Sequence, residues 1–221
     1  MANWLCNYFS FWQWSRSDGL ITTIEKIKVK NVIIGKQFET CENYKKFLHI
    51  AKQKNINICM IEAEQRINIE KGVYFDTLWP DSENRINDNI LNNNSLVCKL
   101  VYKNFSMLFT GDIESEAENA ILVKYKTNLE ILKTTVLKIA HHGSKTSSIQ
   151  EFIKAVKPQI ALIGVGKDNK FGHPSNSTIQ TLKLIGTQIY RTDESGEIGI
   201  KVNQKGKMYI FQNSTNNINN K

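Results

Sequence analysis

The 221-residue sequence lacks three features that would assign it to a class at once. No apolar run approaches the roughly 18–20 residues of a membrane-spanning helix, so no transmembrane segment is predicted. The four cysteines lie far apart and form no C-x-x-C pair, which argues against a disulfide framework and against a cysteine zinc site. The aromatic stretch 8–14 is too short for a signal-peptide core and follows no basic segment. The sequence therefore leaves the compartment unknown, cytoplasmic by default.

The composition is that of a soluble globular domain. Hydrophobic residues make up 41% and charged residues 23% of the chain. The net charge of +8 suits a polyanionic partner, because cationic side chains displace counterions from phosphates. The lysines are scattered in a chain rich in Asn and Ile, so the charge supports such a partner only weakly.

The hydrophobic pattern predicts an α/β fold. Strands and helices alternate in the first and last thirds of the chain, which favours parallel pairing. Two hairpins are predicted in between, with turns at Lys71-Gly72 and Lys103-Asn104, and a polar loop over 80–94 separates them. The predicted strands are 31–35, 56–61, 66–70, 73–79, 96–102, 105–110, 135–140, 159–164, 188–191, 196–202 and 207–211. The predicted helices cover about 20–29, 44–51, 114–125, 149–156 and 176–185.

The first candidate for chemistry is Asp112, which follows an apolar strand and Gly111 in the segment T-G-D. Loops after strands carry the working groups of α/β folds, so this carboxylate is expected at the sheet edge. Asp112 is also placed to cap the helix predicted to begin near Glu114. Taken alone, the capping role is the commoner one.

The second candidate is the pair His141 and His142, which ends a predicted buried strand. Neutral imidazole is a frequent zinc ligand, and one of the two is expected to ligate while the other orients it. The following segment 144–148 offers hydroxyls and amide groups at a helix start, which suits a phosphate. The alternative is that the histidines only cap or pack.

The third candidate is the glycine-rich loop 164–174, which follows another predicted strand and ends in G-H-P. Lys167 and Lys170 are placed to meet a phosphodiester backbone, Phe171 is placed to stack on a base, and His173 ends the loop. The alternative is a surface loop with a solvated histidine.

The order of these segments resembles one family. The segments are N-N-x-S at 92–95, T-G-D at 110–112, H-H-G-S-x-x-S-S at 141–148, G-H-P at 172–174 and R-T-D-x-x-G at 191–196. Together they resemble the C-terminal metallo-β-lactamase domain of ComEC-type competence proteins and their stand-alone relatives. The resemblance runs from about Gly19 to Val202.

The resemblance implies a metallo-β-lactamase-type α/β/β/α sandwich that hydrolyses phosphodiesters, DNA in particular, with a divalent metal such as Zn²⁺ or Mn²⁺. It makes Asp112 a carboxylate shared by two metals and makes His142 or His141 a further ligand. It also assigns the lining of a substrate channel to five residues: Asn93, Ser95, Ser144, Lys145 and His173.

The chain departs from the family at its N-terminal side. The family carries H-x-H-x-D-H before the Gly-Leu that opens the first helix, whereas 14–20 here reads W-S-R-S-D-G-L. The opening strands of the family also have no counterpart. We therefore expect an unmatched segment over 1–18, a partial domain over 19–212 and a disordered tail over 213–221.

About two or three protein ligands then remain where two metals need more, which predicts a weak or absent hydrolase. The missing strands are also expected to expose a sheet edge. Two other functions stay open. One is a non-catalytic fragment that binds DNA or a partner chain, and the other is a lactone or thioester hydrolase, since this fold supports many chemistries.

Overall fold

The computed structural model describes residues 8–9, 18–36 and 41–213, and it describes side chains over 21–36 and 41–212. The predicted segment 1–18 and the predicted tail 213–221 lie almost entirely outside these residues, so both stay predictions. Among the described residues, no helix is both long enough and apolar enough to cross a bilayer.

A mixed seven-stranded sheet with the order β10-β9-β8-β7-β6-β5-β4 forms the centre of the described structure. Its strands are β4 (Arg66–Glu70), β5 (Val73–Trp79), β6 (Val97–Tyr102), β7 (Phe105–Phe109), β8 (Val136–Lys138), β9 (Ile160–Ile163) and β10 (Gln188–Arg191). The strands from β4 to β7 pair antiparallel, and those from β7 to β10 pair parallel. Because β7, β8 and β9 run in one direction, the loops after them leave the same edge of the sheet.

The two predicted hairpins are confirmed as β4–β5 and β6–β7. Their turns need residues in the left-handed region, and the structure places Gly72 at φ +80° and Lys103 at φ +52°. Tight two-residue turns favour this region because its twist matches that of the strands.

Two smaller sheets accompany the large one. The first is parallel, with the order β1 (Tyr8–Phe9), β2 (Asn31–Gly35) and β3 (Asn57–Ile61). The second is an antiparallel hairpin of β11 (Glu197–Val202) and β12 (Met208–Asn213).

Seven α-helices connect the strands of the described residues. They are α1 (Asp18–Lys26), α2 (Glu42–Gln53), α3 (Ile90–Asn93), α4 (Ser115–Lys124), α5 (Gln150–Val156), α6 (Asn176–Ile185) and α7 (Thr192–Ser195). The short α3 lies inside the predicted loop 80–94, and α7 was not predicted. Both are single turns, too short for a helical hydrophobic period to show in the sequence.

The buried apolar clusters show that the elements form four layers. On one face of the large sheet, Leu108 and Leu137 pack in one cluster with Ile121 of α4 and Phe152 of α5. On the other face, one cluster joins the large sheet to β2 and β3, and another joins it to the β11–β12 hairpin. Helices α1 and α2 cover the outer side of the small parallel sheet. This is the predicted α/β/β/α sandwich.

Strand β8 is shorter than the predicted 135–140. It ends at Lys138, and Ala140–Gly143 forms a tight turn. Ile139 precedes this turn and Ala140 begins it, and both are buried, with exposures of 0% and 2%, so their hydrophobicity does not mark strand.

Leu108 tests the central packing. It is fully buried in β7, so Leu108→Ala removes apolar burial and leaves a cavity. We expect the free energy of unfolding to fall by about 2–5 kcal/mol in urea titrations. Val123→Ala, at a position 65% exposed on α4, is the control and should change it by less than about 0.5 kcal/mol. Equal effects of the two substitutions would contradict the layer arrangement.

Candidate active site

Hydrogen bonds join the loops that follow β7, β8 and β9. The amide of His141 donates to the carbonyl of Gly111 at 3.1 Å, which ties the second predicted segment to the first. The amide of Ser175 donates to the carbonyl of Gly143 at 2.8 Å, which ties the third segment to the second. The three segments selected in the sequence therefore meet at one edge of the sheet.

Two glycines allow this close approach. Gly111 has φ +54°, and a Cβ there would lie 2.8 Å from Cβ of Ser95. Gly143 has φ +82°, and a Cβ there would lie 2.7 Å from Cβ of Pro174. Both positions combine a left-handed backbone with too little space for a side chain, so only glycine fits without rearrangement.

The backbone of the two histidines differs from the expected extended strand. His141 has φ 46° and ψ 43°, and His142 has φ 55° and ψ 20°. Two consecutive non-glycine residues in the left-handed region are uncommon and store backbone strain, which clusters at functional sites. The prediction that the two histidines end an extended strand is therefore wrong, because these residues lie in a turn.

His142 points at Asp112. Its Nε2 lies 3.9 Å from Oδ1 of Asp112, and its Nδ1 lies 2.6 Å from the carbonyl oxygen of Gly164. A carbonyl only accepts, so Nδ1 carries a proton and donates it, and in the neutral imidazole Nε2 then has its lone pair on the side of the carboxylate. An imidazole held in this way by a backbone carbonyl has the tautomer and orientation of a metal ligand.

His141 points instead at Glu114. Its buried Nδ1 lies 3.3 Å from Oε1 of Glu114, but the contact is misaligned and does not count as a hydrogen bond. The imidazole and the carboxylate are therefore in electrostatic contact without a hydrogen bond. Glu114 is held in place by Asn89, which donates to Oε2 at 2.9 Å, and by Thr146, which donates to Oε1 at 2.9 Å.

The described side chains at this edge are of the types that bind a divalent cation, but they are too few for a complete site. Imidazole nitrogen and carboxylate oxygen are the ligands that Zn²⁺ and Mn²⁺ accept. Among the described residues, however, no group of three or more His, Cys, Asp or Glu side chains is arranged to hold a metal. The structure thus brings Asp112 and His142 together as a pair, and the ligand role of His141 stays a prediction.

Lys138 is a half-buried lysine at the end of β8 that the sequence analysis missed. Burial lowers the pKa of its ammonium group, and the negative charge of Asp112 opposes that shift. Its Nζ donates to the carbonyl of Ile139 at 2.8 Å. A lysine inside an apolar strand pattern is the signal that would have identified it.

Glu118 holds the loop after the histidines, and sequence analysis missed it as well. It is fully buried on α4, and its carboxylate accepts the amides of Ser148 at 2.7 Å and Ile149 at 2.8 Å. The predicted phosphate cradle over 144–148 therefore needs correction, because Glu118 already occupies amides at the start of α5. An acidic residue on the apolar face of a predicted helix was the available signal.

Four predicted substrate-binding residues surround these motifs at different depths. Asn93 is fully buried, accepts the amide of Glu114 at 3.0 Å and donates to the carbonyl of Asp88 at 3.0 Å. Ser144 is also buried, whereas Ser95 is half-buried and Lys145 is exposed. Asn93 and Ser144 thus lie in the interior next to the site. A substrate role for the four residues stays a prediction.

The loop after β9 forms the wall next to His142. Asn169 shapes it by donating to the carbonyl of His173 at 2.8 Å and accepting the amide of His173 at 3.0 Å. The imidazole of His173 lies 5.7 Å from that of His141, centroid to centroid. Lys167 and Lys170 are exposed on this loop. The structure thus brings His173 to the histidine pair, and the two lysines lie at the rim.

Comparisons with known proteins agree with the fold and with the family that the motifs resemble. No protein-family model matches the chain. The chain is 32% identical over 185 residues to ComE operon protein 3 of Bacillus subtilis (strain 168). The alignment covers 83% of the chain and 23% of that protein. It is 34% identical over 156 residues to competence protein ComA of Neisseria gonorrhoeae. That alignment covers 67% of the chain and 21% of that protein. The chain thus spans less than a quarter of the length of these curated relatives.

A solved structure supports the fold alone. CmlA, a diiron β-hydroxylase from Streptomyces venezuelae, aligns with a TM-score of 0.50 and 11% identity over 76% of the chain and 39% of CmlA. The four layers and the motifs at the sheet edge define a domain of the metallo-β-lactamase fold. More particularly, the chain is a ComEC-like domain of that fold, similar to part of the competence proteins named above.

Gly143 tests the contact between the histidine turn and the loop after β9. Gly143→Ala places a Cβ 2.7 Å from Cβ of Pro174. Gly72 has a similar left-handed backbone, with φ +80°, but a Cβ added there meets nothing within 4 Å. Both substitutions strain the backbone, so their difference isolates the steric contact. We expect Gly143→Ala to lower the free energy of unfolding by about 1–3 kcal/mol more than Gly72→Ala in urea titrations. Equal losses would show that the two loops are not in contact.

Glu118 predicts a pH dependence of stability. Burial raises the pKa of Glu118 from 4.5 to about 7, although the two amides oppose this. The folded protein therefore keeps a proton that the unfolded chain releases, and stability falls as the pH rises through about 7. The contribution is roughly 3 kcal/mol.

In Glu118→Gln the side chain is neutral at every pH, so that fall should disappear between pH values of about 5 and 8. Urea titrations across this range, with the exposed Glu151→Gln as control, measure the difference. A Glu118→Gln profile parallel to that of the unsubstituted protein would contradict the buried, proton-binding role.

Proposed function

We propose that this domain is a metal-dependent phosphodiesterase by descent, with DNA as its substrate in a DNA-uptake system. The single observation that carries the proposal is the pairing of Asp112 with a His142 whose Nδ1 is bonded to a backbone carbonyl at 2.6 Å. That bond leaves Nε2 available as a ligand beside a carboxylate. The similarity to competence proteins supports DNA as the polyanion, and the exposed loop lysines suit its phosphates.

The residues of this chain would have different roles in the proposed reaction. Asp112 and His142 would hold the cation, and His141 would add to them. When bound, a divalent cation supplies Lewis-acid chemistry, which lowers the pKa of a coordinated water and polarises the phosphate. Lys145 and the rim lysines would attract and orient the phosphodiester backbone. Glu118 keeps the intervening loop in position.

The low number of donors makes this chain by itself a weak hydrolase in our proposal. The described residues provide about two ligands, and His141 a third, whereas catalytic zinc sites take about three protein ligands per metal. The missing H-x-H-x-D-H motif would account for the remainder.

The metal role predicts a weak but specific Mn²⁺ affinity. We expect Asp112→Ala and His142→Ala each to reduce Mn²⁺ binding by at least about tenfold, measured by electron paramagnetic resonance of free Mn²⁺. The exposed His49→Ala on α2 is the matched control and should bind as the unsubstituted chain does. Little DNA cleavage is expected with Mn²⁺ or Zn²⁺. Robust cleavage that Asp112→Ala abolishes would show that the ligands present suffice.

A second function is a non-catalytic module that binds DNA, which the lack of a three-ligand group among the described residues favours. DNA binding should then weaken with salt and survive EDTA, because phosphate contacts and not a metal hold the strand. Fluorescence anisotropy in a salt series with and without EDTA distinguishes the two. Binding that EDTA abolishes would count against the second function.

A further inference from the structure

The loop after β9 lines an open cavity that the proposed hydrolysis leaves unused. The cavity has a volume of about 300 Å³, and its lining includes His142, Asn169, Phe171 and His173. This volume is at the lower end of the roughly 300–1,000 Å³ of small-molecule sites, so it suits one flat ring system. His142 lies in the wall, so the cavity opens directly beside the Asp112–His142 pair.

One wall of the cavity is an aromatic platform. The ring of Phe171 is stacked on the imidazole of His173, with centroids 5.9 Å apart and an angle of 18° between the planes. Phe171 is nevertheless 63% exposed, so much of its surface faces solvent. An exposed ring backed by a second ring is the form in which proteins present an aromatic surface to unstacked bases.

The platform is held in a fixed position. The side chain of Asn169 bonds both the amide and the carbonyl of His173, and it also donates to the carbonyl of Gly166 at 3.2 Å. On the other side, the hydroxyl of Thr192 accepts the amide of Val165 at 2.7 Å. A binding surface that is already ordered loses little entropy when it binds a ligand.

The charges of the same loop suit a nucleotide strand. Lys167 and Lys170 are exposed on either side of Asp168 and Asn169, so the loop carries a net positive charge beside its exposed ring. Alternation of cationic and aromatic side chains is typical of surfaces that bind single strands, where phosphates meet lysines and bases stack on rings.

We propose that Phe171, backed by His173, is a stacking subsite for an unpaired nucleobase of single-stranded DNA next to the phosphodiester held at Asp112 and His142. The proposal rests on the proposed function in taking DNA as the ligand. It adds that the strand is bound with a base turned out of its stack, which a duplex does not offer without opening.

The test measures binding without a metal. Fluorescence anisotropy in EDTA compares oligothymidylate with an abasic sugar-phosphate oligomer of the same length, for the unsubstituted chain and for Phe171→Ala. We expect Phe171→Ala to weaken oligothymidylate binding about tenfold and to leave binding of the abasic oligomer unchanged. Phe171→Tyr keeps the ring and should restore binding. Leu184→Ala, at an apolar position 77% exposed on α6, is the matched control and should have no effect.

Three results would overturn the subsite. They are equal binding of both oligomers by the unsubstituted chain, an equal loss for both oligomers in Phe171→Ala, and no loss in that variant. Cleavage with Mn²⁺ in the presence and absence of the Asp112→Ala substitution is a separate measurement. Base-dependent binding without cleavage would leave the subsite standing and reject the hydrolase, and Asp112-dependent cleavage without base-dependent binding would do the reverse.

Discussion

The backbone hydrogen bond from His141 to Gly111 is the contact on which the rest of the candidate site depends. It fixes the turn after β8 against the loop after β7, and the two glycines beside these loops remove the side chains that would keep them apart. Only with this approach does Nε2 of His142 come within 3.9 Å of Asp112. The left-handed backbone at both histidines is the local strain that accompanies this geometry.

Buried charge is the second constraint. Glu118 and Lys138 lie beneath the site, where low polarity disfavours ionised groups. Glu118 compensates by accepting two amides, and these bonds determine where the loop before α5 runs. The buried carboxylate of Glu118 thereby orders the loop that follows the histidines.

The fold and the chemistry of this domain are separable. The four layers are present in the described residues, and three loops meet at the sheet edge as in an enzyme site. Among the residues that the structure describes, the candidate ligands at that edge are nevertheless few, and Phe171 beside them is 63% exposed. The layers and the positions of these loops therefore do not depend on a complete set of metal ligands.

The sequence alone determined the fold class, both hairpins, and the three segments that carry the site. Hydrophobic periodicity and turn residues such as Gly72 are local signals, so strands and hairpins can be read from them. The order of Asp112, His142 and His173 after successive strands also predicted a shared edge. Only the tertiary structure decided that the histidines lie in a left-handed turn, that Glu118 occupies the amides of the expected phosphate cradle, and that Asn93 is buried. These outcomes depend on contacts between residues some 20–30 positions apart, such as Glu118 with Ser148, and no local pattern encodes such pairings.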